Sequence, residues 1–358
     1  MTSKVRAPKE GVFHREDRGR LTNAGIVMAC LVILLVVAIA ASLSCGRYAI
    51  SLRELRIIIL GWFSLGPGHN GVPEPVWRVV ELVRVPRMLI GGFVGGGLAL
   101  SGAALQGVFR NPLVDPQVIG VSSGAAFGGV GAILLGLGTV GVWSMAFCFG
   151  LNALLLVILM SRDSGRSSIL MLVLAGIVVS ALFSALISLV TYFANPNDTL
   201  PAIVFWLMGS FAGSTPGRAL YMVPVITLFA LPLLLMGFRI NILSLGDEEA
   251  KALGLRVEST RWLTLGCVTG ITAASVANSG IVGWVGLVIP HFARALVGPD
   301  HRRLLPASAL LGASFMLFID TLARSAIAAE IPLGVLTALV GAPVFLVLLR
   351  RTQREGWQ

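Results

Sequence analysis

Charged residues are scarce in this sequence, and lysine is nearly absent from it. Asp, Glu, Lys and Arg make up 12% of the 358 residues, whereas 56% are hydrophobic. A soluble domain carries about twice that charged fraction. The three lysines are Lys4, Lys9 and Lys251, and none follows the G-x4-G pattern of a phosphate-binding loop. The chain is therefore not expected to hydrolyse ATP by itself.

Cysteine and histidine are also few, which leaves little material for a metal or redox site. The four cysteines show no CxxC spacing and lie in or beside apolar runs, so we interpret them as packing residues. The four histidines are scattered, and the HExxH and GxSxG motifs do not occur. We expect no metal site, no cofactor bound by this chain and no catalytic residue, and we do not expect an enzyme.

Long apolar runs, in contrast, are abundant, and the mean hydropathy is +0.89. Runs of about 20 apolar residues cross a bilayer as helices, because each backbone polar group then finds its partner within the segment. We predict an all-α integral membrane protein with about ten transmembrane helices. The proposed spans are 24–43, 88–109, 117–137, 140–160, 170–193, 220–238, 263–279, 281–297, 304–327 and 333–349.

Basic residues are distributed unevenly between the loops, and this sets the predicted orientation. The formal net charge is +10, and a cytoplasmic N-terminus puts most basic loops on the inner side, as the positive-inside rule requires. We divide the chain into a basic cytoplasmic N-terminal extension (1–20), a transmembrane domain (21–351) and a cytoplasmic tail (352–358). Both termini are thus predicted to be cytoplasmic.

One long loop, 45–87, is rich in arginine although this orientation places it outside. Long loops obey the positive-inside rule poorly, so the orientation is kept. Within the loop, Ser51 and Glu54 form the S-x-x-E pattern of a capping box, which predicts an interfacial helix on the outer leaflet. The arginines of the loop are Arg47, Arg53, Arg56, Arg78, Arg84 and Arg87.

A dense charged segment interrupts the apolar runs at 245–261, where the sequence reads LGDEEAKALGLRVESTR. Charges are costly at hydrocarbon depth, so this segment is placed in water, within a predicted cytoplasmic loop at 239–262. Helix formers from Glu248 to Leu253 lie between Gly246 and Gly254, with acidic residues first, as a short helix prefers. Such a helix is suited to docking another protein; the alternative is a solvated connector that is helical by chance.

Ionisable residues inside the predicted spans are too few for a proton relay. Asp320 and Arg324 lie one helical turn apart near the end of the ninth span, so Asp320 is expected to neutralise Arg324. No chain of carboxylates or histidines lies at mid-span, as ion-coupled transport usually requires. An ion-coupled secondary transporter is therefore disfavoured, and a purely structural membrane protein is the other alternative.

Several sequence blocks follow one another in a specific order and spacing. They are RVPR at 84–87, SGAALQGVFRNPLVDPQVIGVSSGA at 101–125, WLMGSF at 206–211, LGDEEAKALGL at 245–255, GWVGLVIPHFARALVGPDHRRLLP at 283–306, DTLAR at 320–324 and EIPLGVLTALVGAPVF at 330–345. Together they resemble the permease subunits of ABC importers for iron-siderophores, haem and cobalamin, the FecCD or BtuC-like type. The resemblance extends from about residue 24 to residue 351.

The resemblance implies a ten-helix BtuC-like permease that pairs with a second copy or a close paralogue in a bacterial inner membrane. Two cytoplasmic ABC ATPase subunits, which would use ATP and magnesium, would dock on the charged segment. A periplasmic or lipid-anchored substrate-binding protein would dock by its carboxylates on Arg84, Arg87 and Arg324, although snorkelling to lipid phosphates is an alternative for Arg84 and Arg87. The residues that match the ATPase-docking pattern are Gly246, Asp247, Glu248, Ala250, Leu253 and Gly254.

The cargo implied by the resemblance is a bulky metal chelate. We expect a ferric siderophore, with haem or cobalamin (vitamin B12) as alternatives, because these permeases share the same blocks. The resemblance also implies a gate near the start of the fifth span, where Ser167 and Ser168 match only loosely. Homodimer and heterodimer both stay open.

Overall fold

The computed structural model of the chain describes residues 13–46, 48–65, 71–163, 166–167, 169–327 and 329–354. Within these residues the chain is almost entirely helical. The α-helices are α1 (Phe13–Ser44), α2 (Leu52–Trp62), α3 (Glu74–Arg78), α4 (Val85–Val108), α5 (Val121–Leu134), α6 (Gly138–Ser161), α7 (Ile169–Phe193), α8 (Thr199–Met208), α9 (Pro216–Leu235), α10 (Gly237–Leu245), α11 (Asp247–Ala252), α12 (Val257–Ser279), α13 (Val285–Val297), α14 (His301–Ser325) and α15 (Leu333–Arg354). A π-helical segment (Val79–Arg84) joins α3 to α4, a 3-10 turn (Pro116–Ile119) precedes α5, and two short strands, β1 (Arg162–Asp163) and β2 (Arg166–Ser167), pair antiparallel.

Each predicted span coincides with one of these helices, which confirms the all-α membrane fold. Among the described residues, six helical segments are long and apolar enough to cross a membrane: most of α1, α6, α7, α9, α14 and the continuous helix Glu74–Val108. Shorter apolar helices are α5, α8, α13 and the Leu333–Val347 part of α15. The remaining predicted span is α12, which is buried along nearly all of its length and so lies at the centre of the bundle.

The helix that contains the second predicted span begins earlier than residue 88. The π-helical segment and α3 continue α4 back to Glu74. This extension was not predicted, because its charged residues interrupt the apolar run from which the span was inferred. Arg78 and Glu74 form an exposed ion pair of 2.6 Å across one turn, while Val76 and Val80 on the other side are buried. The extension is therefore an amphipathic continuation of the span.

The predicted interfacial helix is present as α2, with its capping box. The Ser51 hydroxyl accepts from the Glu54 backbone N–H, and the Glu54 carboxylate accepts from the Ser51 backbone N–H at 2.9 Å. Leu55 and Ile58 of α2 are buried in a small apolar cluster with the end of α1 and the Val76–Val80 region. The helix is thus fixed to the bundle by one face.

Glycines bring the central helices into close backbone contact. A Cβ at Gly95 of α4 would clash with the backbone oxygen of Gly312 in α14, and Gly96 faces the backbone oxygen of Ala309. On α5, a Cβ at Gly128 would clash with the α6 backbone. In a membrane, helix association depends on such close packing because lipid tails are as apolar as the side chains.

Contacts between the helix termini define two ends of the bundle. The Arg87 end contains the end of α1, the start of α4, the end of α14 and the start of α15, and there Arg87 bonds to Asp320. The α11 end contains the end of α4, α10, α11 and the start of α14, and there Gly107 lies against Ile240 and His301. The predicted orientation places the α11 end in the cytoplasm and the Arg87 end outside.

Of two short helices, the first, α8, ends at the Arg87 end and was not predicted, because its ten residues are too few for a span. The backbone N–H of Ser210 donates to Ser279 O, and that of Leu333 to Gly209 O, both at 2.9 Å. These bonds join the ends of α8 and α12 to the start of α15. The second short helix, α13, begins at Val285 rather than 281, because the preceding segment is non-helical and Gly280 has a φ of +69°.

Candidate functional site

The charged segment predicted to dock a partner folds as a short helix between two glycines. Gly246 and Gly254 flank α11 with φ angles of +140° and +79°. Side chains are strained in this region, so glycine allows α10 to turn directly into α11 and the chain to leave it toward α12. At Gly246 a Cβ would also clash with the Glu249 carboxylate. The local sequence therefore fixes both ends of the helix.

A buried arginine of α12 anchors α11. Arg261 is fully buried, and its Nη2 donates to both carboxylate oxygens of Asp247 at 2.8 Å. Its Nη1 lies 3.4 Å from Glu258 Oε1, and Glu258 also accepts from Trp262 Nε1 at 3.1 Å. A buried guanidinium is costly without carboxylate partners, so Asp247 and α11 are tied to the start of α12.

The predicted docking residues divide into an inward and an outward set. Gly246 and Ala250 are buried and Asp247 faces Arg261, whereas Glu248, Leu253 and Gly254 are exposed. The Glu248 side chain is 84% exposed and accepts from Lys251 Nζ at 2.8 Å. Leu253 and Leu245, each 61% exposed, lie on either side of the acidic turn. The anchored helix α11 and the residues beside it thus expose acidic and apolar side chains. Such a surface is suited to recognition of a protein surface with basic groups.

The helix before this site is tied to the start of α14. Asn241 of α10 donates from Nδ2 to Asp300 Oδ1 at 2.6 Å, and its Oδ1 accepts from the backbone N–H of His301 at 2.8 Å. Asp300 caps α14 by accepting from the Arg302 backbone N–H at 2.9 Å. Burial alone would raise the pKa of Asp300, but these hydrogen bonds and the charges of Arg302 and Arg303 lower it below its usual value. α10, which leads directly into α11, is thus fixed to the start of α14.

At the opposite end, two of the three predicted docking arginines bind the end of α1. The Arg84 guanidinium donates to the backbone oxygens of Leu43 and Tyr48. Arg324 donates from Nη1 to Cys45 O at 2.8 Å, and from Nη2 to Ser42 O. Both side chains are buried, and they satisfy carbonyls that the end of a helix leaves without intrahelical partners.

The third predicted docking arginine, Arg87, joins α4 to α14 and to the segment before α15 through two carboxylates. Its Nε donates to Asp320 Oδ1 at 2.8 Å, and its Nη1 donates to Glu330 Oε1 at 2.7 Å. Asp320 is fully buried and lies 3.4 Å from Arg324 Nε, so the expected pair is present but is the weaker of its two contacts. A partner carboxylate would have to compete with these internal bonds, and docking at these arginines stays a prediction.

Of the two predicted gate residues, Ser167 lies in the short strand β2, between α6 and α7. The backbone of Ser167 belongs to β2 and pairs with Arg162. Ser168 lies outside the described residues, and so does the Ser167 side chain. A gate at these serines therefore stays a prediction.

Comparison with known proteins identifies the family. Residues 34–351 match the FecCD transport family. The chain belongs to this family of ABC transporter permeases. It is 46% identical over 327 residues to the molybdate import system permease protein of Haemophilus influenzae, covering 91% of this chain and 96% of that protein. It is 42% identical over 285 residues to the cobalamin import system permease protein of Halobacterium salinarum, covering 79% and 76%.

A solved structure supports the same assignment for this FecCD permease. It is described as an inward-facing conformation of a metal-chelate type ABC transporter, and it matches with a TM-score of 0.83 and 44% identity, covering 92% of this chain and all of that chain. The resemblance inferred from the sequence blocks and the BtuC-like fold are therefore confirmed. As a multi-pass permease of an ABC transporter, the chain is a transport component. The relatives differ in their stated cargo.

Two side-chain bonds of the FecCD permease could not be predicted from the sequence. The bond between Arg87 and Asp320 joins residues that are 233 positions apart, so no local pattern announces it. The bond between Asn241 and Asp300 spans 59 positions in the same way. A local signal existed only for the cap, because Asp300 directly precedes α14 as an N-cap residue should.

Proposed function

We propose that the chain is the membrane-spanning subunit of an ABC importer, and that α11 is the surface that receives its ATPase. The observation that carries this proposal is the anchoring of α11 by the buried Arg261, which leaves Glu248 and Leu253 exposed on a rigid helix. A connector that is merely solvated would not be expected to be held by a buried arginine such as Arg261. Two ATPase subunits, using ATP and magnesium, would engage two copies of this helix in a permease dimer.

The cargo proposed is a metal oxyanion or a metal chelate, and three candidates have separate support. Molybdate is favoured by the relative with 46% identity, which is named for molybdate import. A metal chelate such as a ferric siderophore is favoured by the sequence blocks and by the description of the solved structure. Cobalamin has the support of one relative with 42% identity. In each case a substrate-binding protein would deliver the cargo to the Arg87 end.

The docking proposal is tested by co-purification of the permease with its ATPase. Replacing Glu248 by Lys together with Leu253 by Asp changes only exposed side chains, so the fold should be kept while the ATPase is lost. The matched control is Arg302→Gln, which alters an exposed charge at the same end of the bundle. The control should retain the ATPase. Equal retention by the double variant would contradict docking on α11.

The cargo is tested by uptake into liposomes that contain the permease, its ATPase and its binding protein. Molybdenum and iron inside the vesicles are measured by mass spectrometry after addition of molybdate or a ferric siderophore. Uptake of one of the two, dependent on ATP, identifies the cargo. Uptake without the ATPase that collapses with the proton gradient would establish the secondary transporter instead.

A further inference from the structure

A recessed cavity at the Arg87 end contains an arginine that has no partner in the described chain. Arg218 lies in the first turn of α9, where its backbone N–H donates to the Thr215 side chain. Its guanidinium is half-buried, lies against Gly213, and forms no hydrogen bond or ion pair with any described residue. Arg84, Arg87 and Arg324 at the same end all bond to the chain itself. Arg218 differs from them in having no bonding partner among the residues that the structure describes.

The space around Arg218 is large enough for a small ligand. Two adjoining cavities, of about 580 and 680 Å³, share Thr139, Gly213, Arg218 and Asn278 in their walls. Such volumes are in the range of small-molecule sites. The walls come from α5, α6, α8, α9 and α12 together with the 209–215 loop, so the cavities are formed by several elements of the fold.

The chemistry of the cavity walls favours an anion. Among the described residues, no Asp or Glu lines either cavity. The hydroxyls of Ser210 and Thr215 accept backbone N–H bonds, and both hydrogens remain available to donate. The Trp143 indole, which lines the second cavity, has a buried Nε1–H with no acceptor. Of these donors, Trp143 Nε1–H is the one withdrawn from water, where a donor without an acceptor is costly, and Arg218 is half-buried without a counter-charge among the described residues.

We propose that this cavity is a binding site for a small oxyanion of the molybdate and sulfate class, held by the Arg218 guanidinium. Arginine presents a planar set of donors that matches oxyanions in two-point contact, and the Ser210 and Thr215 hydroxyls supply further donors. In the predicted orientation the cavity opens on the side from which the cargo arrives. Only the identity of the anion rests on the proposed function; the site itself follows from the cavity.

The test is equilibrium dialysis of molybdate against the purified permease in phosphatidylcholine nanodiscs, with bound molybdenum measured by mass spectrometry. The wild-type protein should bind molybdate saturably, with sulfate as a competitor. Arg218→Gln should weaken binding at least tenfold, and Arg218→Lys should retain part of it because the charge is kept. The matched control, Arg53→Gln, removes an exposed arginine of α2 outside the cavity and should bind as wild type.

Two results would overturn the site. One is the absence of saturable binding by wild type, as expected if Arg218 only reaches toward water or lipid phosphate. The other is undiminished binding by Arg218→Gln. Uptake experiments separate this inference from the cargo proposal: binding that depends on Arg218, together with uptake of iron chelate alone, would leave the oxyanion site in place and reject molybdate as cargo.

Discussion

Replacing Asp320 by Ala should destabilise the protein far more than replacing Glu330 by Ala. Asp320 is fully buried and faces Arg87 at 2.8 Å and Arg324 at 3.4 Å, so its removal leaves two buried cations without their shared carboxylate. Breaking a buried ion pair in this way costs about 3–5 kcal/mol. Glu330 is 24% exposed, and solvent screening reduces its pair with Arg87 to about 1 kcal/mol.

The free energy of unfolding, measured in mixed micelles, gives the difference between the two variants, and tryptophan fluorescence during heating gives their order of stability. A double variant, Arg87→Leu with Asp320→Leu, removes both partners and should be more stable than the sum of the single changes predicts, by at least about 1 kcal/mol. The reasoning is refuted if Asp320→Ala costs no more than Glu330→Ala, or if the double variant is strictly additive. A transport defect in an Arg87 variant is evidence for docking of the binding protein only if the free energy of unfolding of that variant equals that of the wild type.

Three further predictions concern other parts of the fold. Asp247→Ala should remove the main partner of the buried Arg261, lower the melting temperature and release the ATPase on co-purification, whereas a purely solvated connector would show only the loss of stability. Gly128→Leu should prevent α5 from packing on α6 and abolish accumulation of folded protein in the membrane; normal accumulation would contradict the close contact. The pKa of Glu54 lies below its usual value because the Ser51 hydroxyl and backbone N–H donate to the carboxylate, so the cap is complete above the usual glutamate pKa of about 4.3 and is lost as the pH falls through the lowered value. The hydrogen-exchange protection factors of α2, which are corrected for the intrinsic pH dependence of exchange, should fall only in that acidic range, and Glu54→Ala should remove the dependence.

The helices were predictable because the membrane imposes a simple rule on the chain. A long apolar run must form a helix, so α1, α6 and α7 follow directly from hydropathy. The α11 helix was predictable for the opposite reason, since charges exclude it from the membrane and the flanking glycines limit its length. Both predictions depend on local composition alone.

The predictions were incomplete where the structure depends on distant contacts or on short elements. Ten residues of α8 do not span a membrane, and the helix is fixed by bonds to the ends of α12 and α15. The sequence placed the arginines at the outer side but did not predict their backbone partners. Arg84 and Arg324 cap the end of α1, and this contact depends on three-dimensional proximity. The resemblance assigned these arginines to docking, a role that concerns a partner outside this chain.

ATP-dependent uptake by the reconstituted importer tests the central claim most directly. Permease, ATPase and binding protein are placed in liposomes, and accumulation of cargo is compared with and without ATP and with the Glu248→Lys and Leu253→Asp double variant. We predict accumulation only with ATP and the wild-type α11. Accumulation of the cargo by liposomes that contain the permease alone would contradict the account.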